Sequence, residues 1–359
     1  MMLLANSGSP LMMLGMLQLL GGNLLIAALE ACIVRWVFRP QRTYLRVFGI
    51  MVFGNYVSFI AGMFLFSMMG TVVLESLNGE EALYNLPRLL TFLFVASFLL
   101  TLAMEFPFCL WAVGPRKTRK RRVLVGLTAT LVSQTVSYLA MLPLVLGASG
   151  FSAATEVTPD RSLVSQAPDI ATIYYLSNDN RSLCKIRLNG TGREKVKDLA
   201  RDQDQHGYRN LYLSRPDEQT RWSLKCDEDV LLPDVAGSGG LAWTQAYEKG
   251  TAYHYFYHAA GLEHWEDRAW DVRAGLYGIE GIRAYHRKTG QDIHVALETP
   301  FASWWPNNPS LLPGELVVFE FGRQIVLLDL NRRKIGLIAL GRQPVVVLDD
   351  AVVPATQPK

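Results

Sequence analysis

The first 150 residues of this 359-residue chain contain no histidine and only five acids, Glu30, Glu75, Glu80, Glu81 and Glu105, and residues 1–29 contain no lysine or arginine. Each absence excludes something. A secretory leader needs a positively charged start, so the first apolar segment is expected to stay in the mature protein. With eleven Lys and Arg beside those five acids, the overall net charge of +3 is a compromise between a basic first part and a mildly acidic remainder. The basic residues sit where membrane topology calls for them, so the charge gives no reason to expect a nucleic-acid partner. A nucleophile elbow, a phosphate-binding glycine loop and a metalloprotease helix motif are also missing from the whole chain. Nothing here calls for an enzyme.

What the first part does contain is apolar length. A hydrocarbon core about 30 Å thick is crossed by a helix of about 20 apolar residues, since only internally hydrogen-bonded backbone tolerates lipid. Residues 11–34, 47–74, 89–113 and 123–146 meet that length, and the second and fourth stretches contain no charged residue. The expected fold class is therefore an α+β, multidomain membrane protein. A four-helix transmembrane bundle (residues 1–150) is followed by a linker (151–170), an all-β domain (171–350) and a tail (351–359). Orientation follows the positive charge. Arg35, Arg39, Arg42 and Arg46 fill the first loop, and Arg116, Lys117, Arg119, Lys120, Arg121 and Arg122 fill the third, so both belong in the cytoplasm. The second loop carries Glu75, Glu80 and Glu81 and belongs outside. Both termini and the β-domain are then extracytoplasmic, on a multi-pass protein of the cell (inner) membrane whose first partner is the lipid bilayer.

The membrane part repeats itself. Glu30, Trp36 and Pro40 have the spacing of Glu105, Trp111 and Pro115. The match continues as Asn55-Tyr56-Val57-Ser58-Phe59-Ile60-Ala61 against Gln134-Thr135-Val136-Ser137-Tyr138-Leu139-Ala140, after a second loop four residues longer. Each copy enters from outside and returns, which makes two parallel hairpin repeats about an axis along the membrane normal. A carboxyl group inside a span is costly unless it pairs, reaches an interface or faces water. Glu30, Asn55, Ser58, Glu105, Gln134 and Ser137 are thus expected to form an intramembrane polar cluster. Two roles stay open: hydrogen-bonded glue between hairpins, or a two-carboxylate proton or cation site.

After Gly150 the texture changes to short apolar runs broken by turn residues, a strand pattern. Strands are expected at residues 172–177, 182–188, 210–214, 221–226, 251–258, 281–287, 292–298, 315–321, 324–329 and 334–339. Ile173-Tyr174-Tyr175-Leu176-Ser177, Ser182-Leu183-Cys184-Lys185-Ile186 and Leu188-Asn189-Gly190-Thr191-Gly192 resemble one blade of the bacterial propellers related to the Tol-system periplasmic protein. Residues 309–348, with Gly314-Glu315-Leu316-Val317-Val318-Phe319-Glu320 and Ile325-Val326-Leu327-Leu328-Asp329-Leu330, are similar to a closing blade. The likeness is to a repeat, covers about a third of the outer domain, and implies a propeller-like binding platform with no catalytic residue. Blades of about 40–45 residues would number four or five here, fewer than in six-bladed relatives.

Four cysteines occur. Cys32 and Cys109 read as small packing residues within spans. Cys184 and Cys226 lie on neighbouring expected strands, where an oxidising compartment would let them form a disulfide. His254 and His258 share a strand face, with His264 following, the residue types zinc takes. Tyr253, Tyr255 and Tyr257 on the other face explain the segment as an aromatic strand, and no metal or other cofactor is expected. The leading functional reading is a membrane anchor and oligomeriser displaying a β-domain that binds a protein or ligand outside the cytoplasm. A small transporter using Glu30 and Glu105 is the alternative, and an extracytoplasmic enzyme is the third.

Overall fold

The computed structural model describes residues 21–40, 42–115, 118–199, 210–214, 222–227, 229–236, 269–275, 279–299 and 303–349. The chain divides into two compact units, Met1–Glu75 with Pro87–Ser149, and Ser76–Leu86 with Gly150–Lys359. The first unit is helical: α1 (Asn23–Phe38), α2 (Tyr44–Asn78), α3 (Ala82–Val113) and α4 (Arg119–Ala148). Tyr44–Gly62 of α2, and α3 and α4 throughout, are long and apolar enough to cross a membrane. Residues 11–20 of the first expected span lie outside the described residues.

The burial pattern of these helices is inverted relative to a water-soluble bundle. Leu25, Phe53, Phe92 and Leu124 stand mostly exposed, while Ala27, Ala31, Ala112, Cys109 and Ala129 pack in the centre. Small inward residues let backbones approach where lipid removes the hydrophobic drive between helices. Gly126 marks such an approach, since a Cβ there would lie 2.8 Å from the Leu110 side chain. Helices α1 and α3 also stop in the same way. Arg39 (φ 43°) follows α1 and Gly114 (φ 78°) follows α3, both left-handed and each preceding a proline, Pro40 and Pro115. The left-handed residue turns the chain out of the helix, and proline cannot resume it.

In the second unit β2 (Ala171–Leu176), β3 (Ser182–Arg187) and β4 (Glu194–Asp198) form a meander. Two more meanders follow: β5 (Leu211–Ser214), β6 (Trp222–Cys226) and β7 (Asp229–Ala236), then β8 (Trp270–Ala274), β9 (Ile282–His286) and β10 (Asp292–Val295). After the short pair β11 (Leu297–Glu298) and β12 (Ser303–Trp304) comes a fourth meander. It contains β13 (Pro306–Leu312), β14 (Leu316–Phe321), β15 (Gln324–Asp329) and β16 (Lys334–Leu340), with β1 (Thr158–Pro159) parallel to β16. The last strand, β17 (Arg342–Leu348), returns to pair antiparallel with β2. The described residues close neither a barrel nor a ring of blades.

Alternation along these strands builds two cores on opposite faces of one sheet. Ile173, Tyr175, Ile186, Val346 and Leu348 face Val318, Ile325 and Leu327 of the fourth meander. Leu176, Leu183, Val345 and Val347 face Leu211, Leu213 and Leu224 of the second. A sheet covered on both sides needs apolar residues at both parities, as in Val345-Val346-Val347-Leu348.

Two segments differ from the sequence expectation. Residues 151–170, expected as a linker, are folded: α5 (Ser152–Thr155) packs its backbone on Ala296, β1 joins the fourth meander, and Leu163 and Val164 are buried in its core. Burial of those two side chains is what ties the stretch down. Residues 76–86, expected only as an outer loop between spans, belong to the β-unit. Leu83 and Leu86 are buried, Gln324 donates to the Gly79 carbonyl at 3.1 Å, and the Leu337 amide donates to the Tyr84 hydroxyl at 3.1 Å. Arg161 stacks 4.2 Å from the Tyr84 ring centroid and pairs with Glu81.

Candidate functional site

Glu30 on α1 and Glu105 on α3 are 0% and 2% exposed, in the middle of the helical unit. Neither carboxyl is left bare. Glu30 accepts from Asn55 Nδ2 at 2.7 Å, from Gln134 Nε2 at 2.6 Å and from Ser137 Oγ at 3.0 Å. Glu105 accepts from Ser58 Oγ at 2.8 Å and from Gln134 Nε2. The six polar residues singled out in the sequence thus share one hydrogen-bonded network, with α1 and α3 supplying the acceptors and α2 and α4 the donors. The i, i+3 spacing of Asn55 with Ser58 and of Gln134 with Ser137 puts each pair on one helix face. Asn55 is held further by donating to the Met51 carbonyl at 3.0 Å.

The pattern of donation has a regular form. Each glutamate accepts from the amide of its own hairpin, Asn55 for Glu30 and Gln134 for Glu105, and from the serine of the other hairpin, Ser137 for Glu30 and Ser58 for Glu105. The bond from Gln134 to Glu30 is the one departure. Gln134 is a methylene longer than Asn55 and spans both carboxyl groups. All donors in the network are neutral amides and hydroxyls. Chemically the arrangement joins four helices through buried, mutually satisfied polar groups, which in an apolar medium resist separation.

The other sequence candidates fare differently. No disulfide joins Cys184 and Cys226. Cys184 packs against the core between the first and fourth meanders, and Cys226 lies in the core between the first and second. β3 and β6 belong to different sheets and the two side chains pack with different cores, so the expected disulfide is not made. His254, His258 and His264 lie outside the described residues. Among the described residues no group of three or more His, Cys, Asp or Glu is placed to hold a metal ion.

Sequence reasoning missed Glu320 and Arg187. Glu320 sits on the core face of β14, 4% exposed, and accepts from the Gln343 amide at 2.9 Å. That amide is freed by the bulge between Arg342 and Val345, where Gln343 is left-handed (φ 54°). Burial pushes the Glu320 carboxyl up to about 7, against the pull of the Gln343 amide and Arg342. The available signal was parity: Glu320 falls in step with Leu316 and Val318, both core residues. Arg187 forks between Asp349 (3.0 and 2.5 Å) and Asp169 (2.6 Å), and reaches Thr172 Oγ1 at 2.8 Å. It holds the Asp349 carboxyl below the usual carboxylate range. Glu320 and Arg187 secure the two ends of the last strand, and neither lies near the helical network in the chain. Comparison with known proteins finds no matching family model, no matching curated protein and no matching solved structure, so a functional reading rests on the geometry above.

Proposed function

We propose that this chain is a multi-pass membrane protein whose helical unit anchors, and can oligomerise, a β-domain displayed outside the cytoplasm to bind a partner protein or surface ligand. The observation that carries this reading is the direct pairing of Glu30 and Glu105 with Asn55, Gln134, Ser58 and Ser137 in a close-packed core. An anchor needs its buried polar groups satisfied by each other, whereas a carrier needs them to meet water. The reading counts four spans, the first from the apolar sequence of residues 11–34. The exchange of serines between hairpins and the matching left-handed helix ends support two parallel repeats. Four meanders in chain order, with β17 returning to β2, support a propeller-like reading of the β-domain. The charge of the loops supports a cytoplasmic side for residues 116–122 and an outer side for the β-domain.

A reporter active only outside the cytoplasm tests the arrangement. Fused after Lys359 it is active, and fused within residues 116–122 it is silent. The reverse pattern overturns the orientation. One observation favours a second reading: two buried carboxyl groups whose partners are all neutral also suit a proton- or cation-carrying site. Proteoliposomes loaded with a pH-sensitive dye separate the two. The anchor leaks protons no faster than empty vesicles, and a flux abolished by Glu105→Gln replaces the anchor with the carrier.

A further inference from the structure

We propose that Glu320 is the catch of a proton-operated latch in the β-domain: while neutral it holds the start of the last strand, residues 342–344, and on losing its proton it lets that segment go. The device works whatever the domain binds.

Two irregularities of the backbone meet at this point. β13 departs from register between Asn307 and Ser310, and β17 between Arg342 and Val345. Each bulge holds a left-handed residue, Asn308 (φ 49°) and Gln343 (φ 54°), and Asn308 Nδ2 donates to Gln343 Oε1 at 2.8 Å. The backbone amide of Gln343 donates to Glu320 Oε2 at 2.9 Å. Gln343 thus ties the bulge of β17 to the fourth meander twice, by its amide to β14 and by its side chain to β13. Pro344, next in the chain, has no N–H to add.

A neutral carboxyl suits this post. Its carbonyl oxygen takes the Gln343 amide, and its hydroxyl can turn to Asn307, whose side chain bonds it across the β13–β14 pair and offers an acceptor as well as donors. A charge there is costly, because Val318 on its own strand and Ile325 opposite on β15 are fully buried and apolar. The charged groups that face it are Arg342 on β17 and Arg323 after β14; β13 presents the neutral Asn307 and β15 the apolar Ile325. Their pull toward the ionised form is weaker than the push of burial, so the carboxyl stands at about 7 instead of 4.5.

Water reaches the carboxylate once residues 342–344 lift from β13 and β14. The lifted group regains its ordinary value, so ionisation favours lifting, and opening grows as pH rises from about 4.5 to about 7. The flanks stay in place. Behind the bulge, the Gly341 amide donates to the Arg323 carbonyl at 3.0 Å, and a Cβ on Gly341 would collide with the Tyr175 ring packed against it. Ahead of it, Val345–Leu348 remain paired with β2.

Hydrogen exchange of the full chain in nanodiscs, read by mass spectrometry on fragments spanning residue 343, tests the latch. After correction for the intrinsic rate, the Gln343 amide is expected to exchange about tenfold faster at pH 8 than at pH 6. Amides of β15 exchange at least about tenfold more slowly than Gln343 at both values. Glu320→Gln keeps an acceptor for the Gln343 amide and cannot ionise, so the corrected rate changes by less than about twofold over the same range. Asn308→Ala removes the other tie, and exchange quickens at both values while the pH response stays. A response that survives in Glu320→Gln, or none in the parent, would overturn Glu320 as the catch. Equal rates for Gln343 and β15 would make the opening global unfolding and overturn the latch.

Discussion

Gln134 donates to Glu30 across the two hairpins at 2.6 Å while also donating to Glu105, whereas Asn55, one methylene shorter, serves Glu30 alone. Gln134→Asn therefore makes the two repeats chemically alike at this position and removes the bridge. The expected loss of stability is about 1–3 kcal/mol, the cost of leaving a buried acceptor unserved. Thermal unfolding in detergent reads it, and an unchanged midpoint would show that the bridge adds nothing.

The serines test the exchange between hairpins. Ser58→Ala and Ser137→Ala each remove one donor from the other hairpin's glutamate. Both act on one network through Gln134, so the double variant is expected to lose a different amount from the sum of the singles, by about 0.5 kcal/mol or more. Strict additivity would mean that the two glutamates are independent.

Glu320 sets a pH dependence for the β-domain. Its carboxyl is raised from 4.5 to about 7 in the folded state, so the folded form binds a proton more tightly than the unfolded form. Stability from this group is fully present below about pH 4.5 and is lost as pH rises through about 7, by roughly 3 kcal/mol at most. Asp160, held near 2 by Lys334, acts in the opposite sense and only below its ordinary value of 3.8, outside this window. Urea midpoints of the parent should fall between pH 5 and pH 8, and Glu320→Gln should flatten that slope. A slope that survives the substitution assigns the effect to another group.

Arg187 clasps the end of the last strand to the first meander through Asp349, Thr172 and Asp169. Lysine keeps the charge but not the fork, so Arg187→Lys is expected to cost about 1–3 kcal/mol and to speed proteolysis near residue 349. Equal protease resistance in both proteins would make the clasp ornamental.

Much of this was legible because it is carried by period and by scarcity. Apolar length marks α2, α3 and α4, and a glutamate is rare enough in such a stretch that Glu30 and Glu105 stand out with their Asn, Gln and Ser partners. Edge strands were harder. β13 and β17 contain Pro309 and Pro344, which argue against a strand in sequence, yet each proline sits in a bulge of an edge strand where no ladder N–H is needed. β4 is nearly all charged and exposed, as befits a protected edge, and so carries no apolar alternation. The 76–86 segment was obscured because Glu80 and Glu81 mark an outer loop, and two leucines, Leu83 and Leu86, are too short a signal to show burial against strands. The cysteines misled because strands close in sequence need not be neighbours in a sheet, and β3 and β6 lie in separate sheets.

The most direct measurement of the network's role is the melting temperature, in nanodiscs, of Glu30→Gln and Glu105→Gln beside the alanine variants. Glutamine keeps an acceptor in place and removes the acid, so a structural lock leaves the glutamine variants within a few degrees of the parent, while alanine lowers the midpoint by more than about 5 °C. Glutamine variants that melt as early as the alanine variants would contradict the lock.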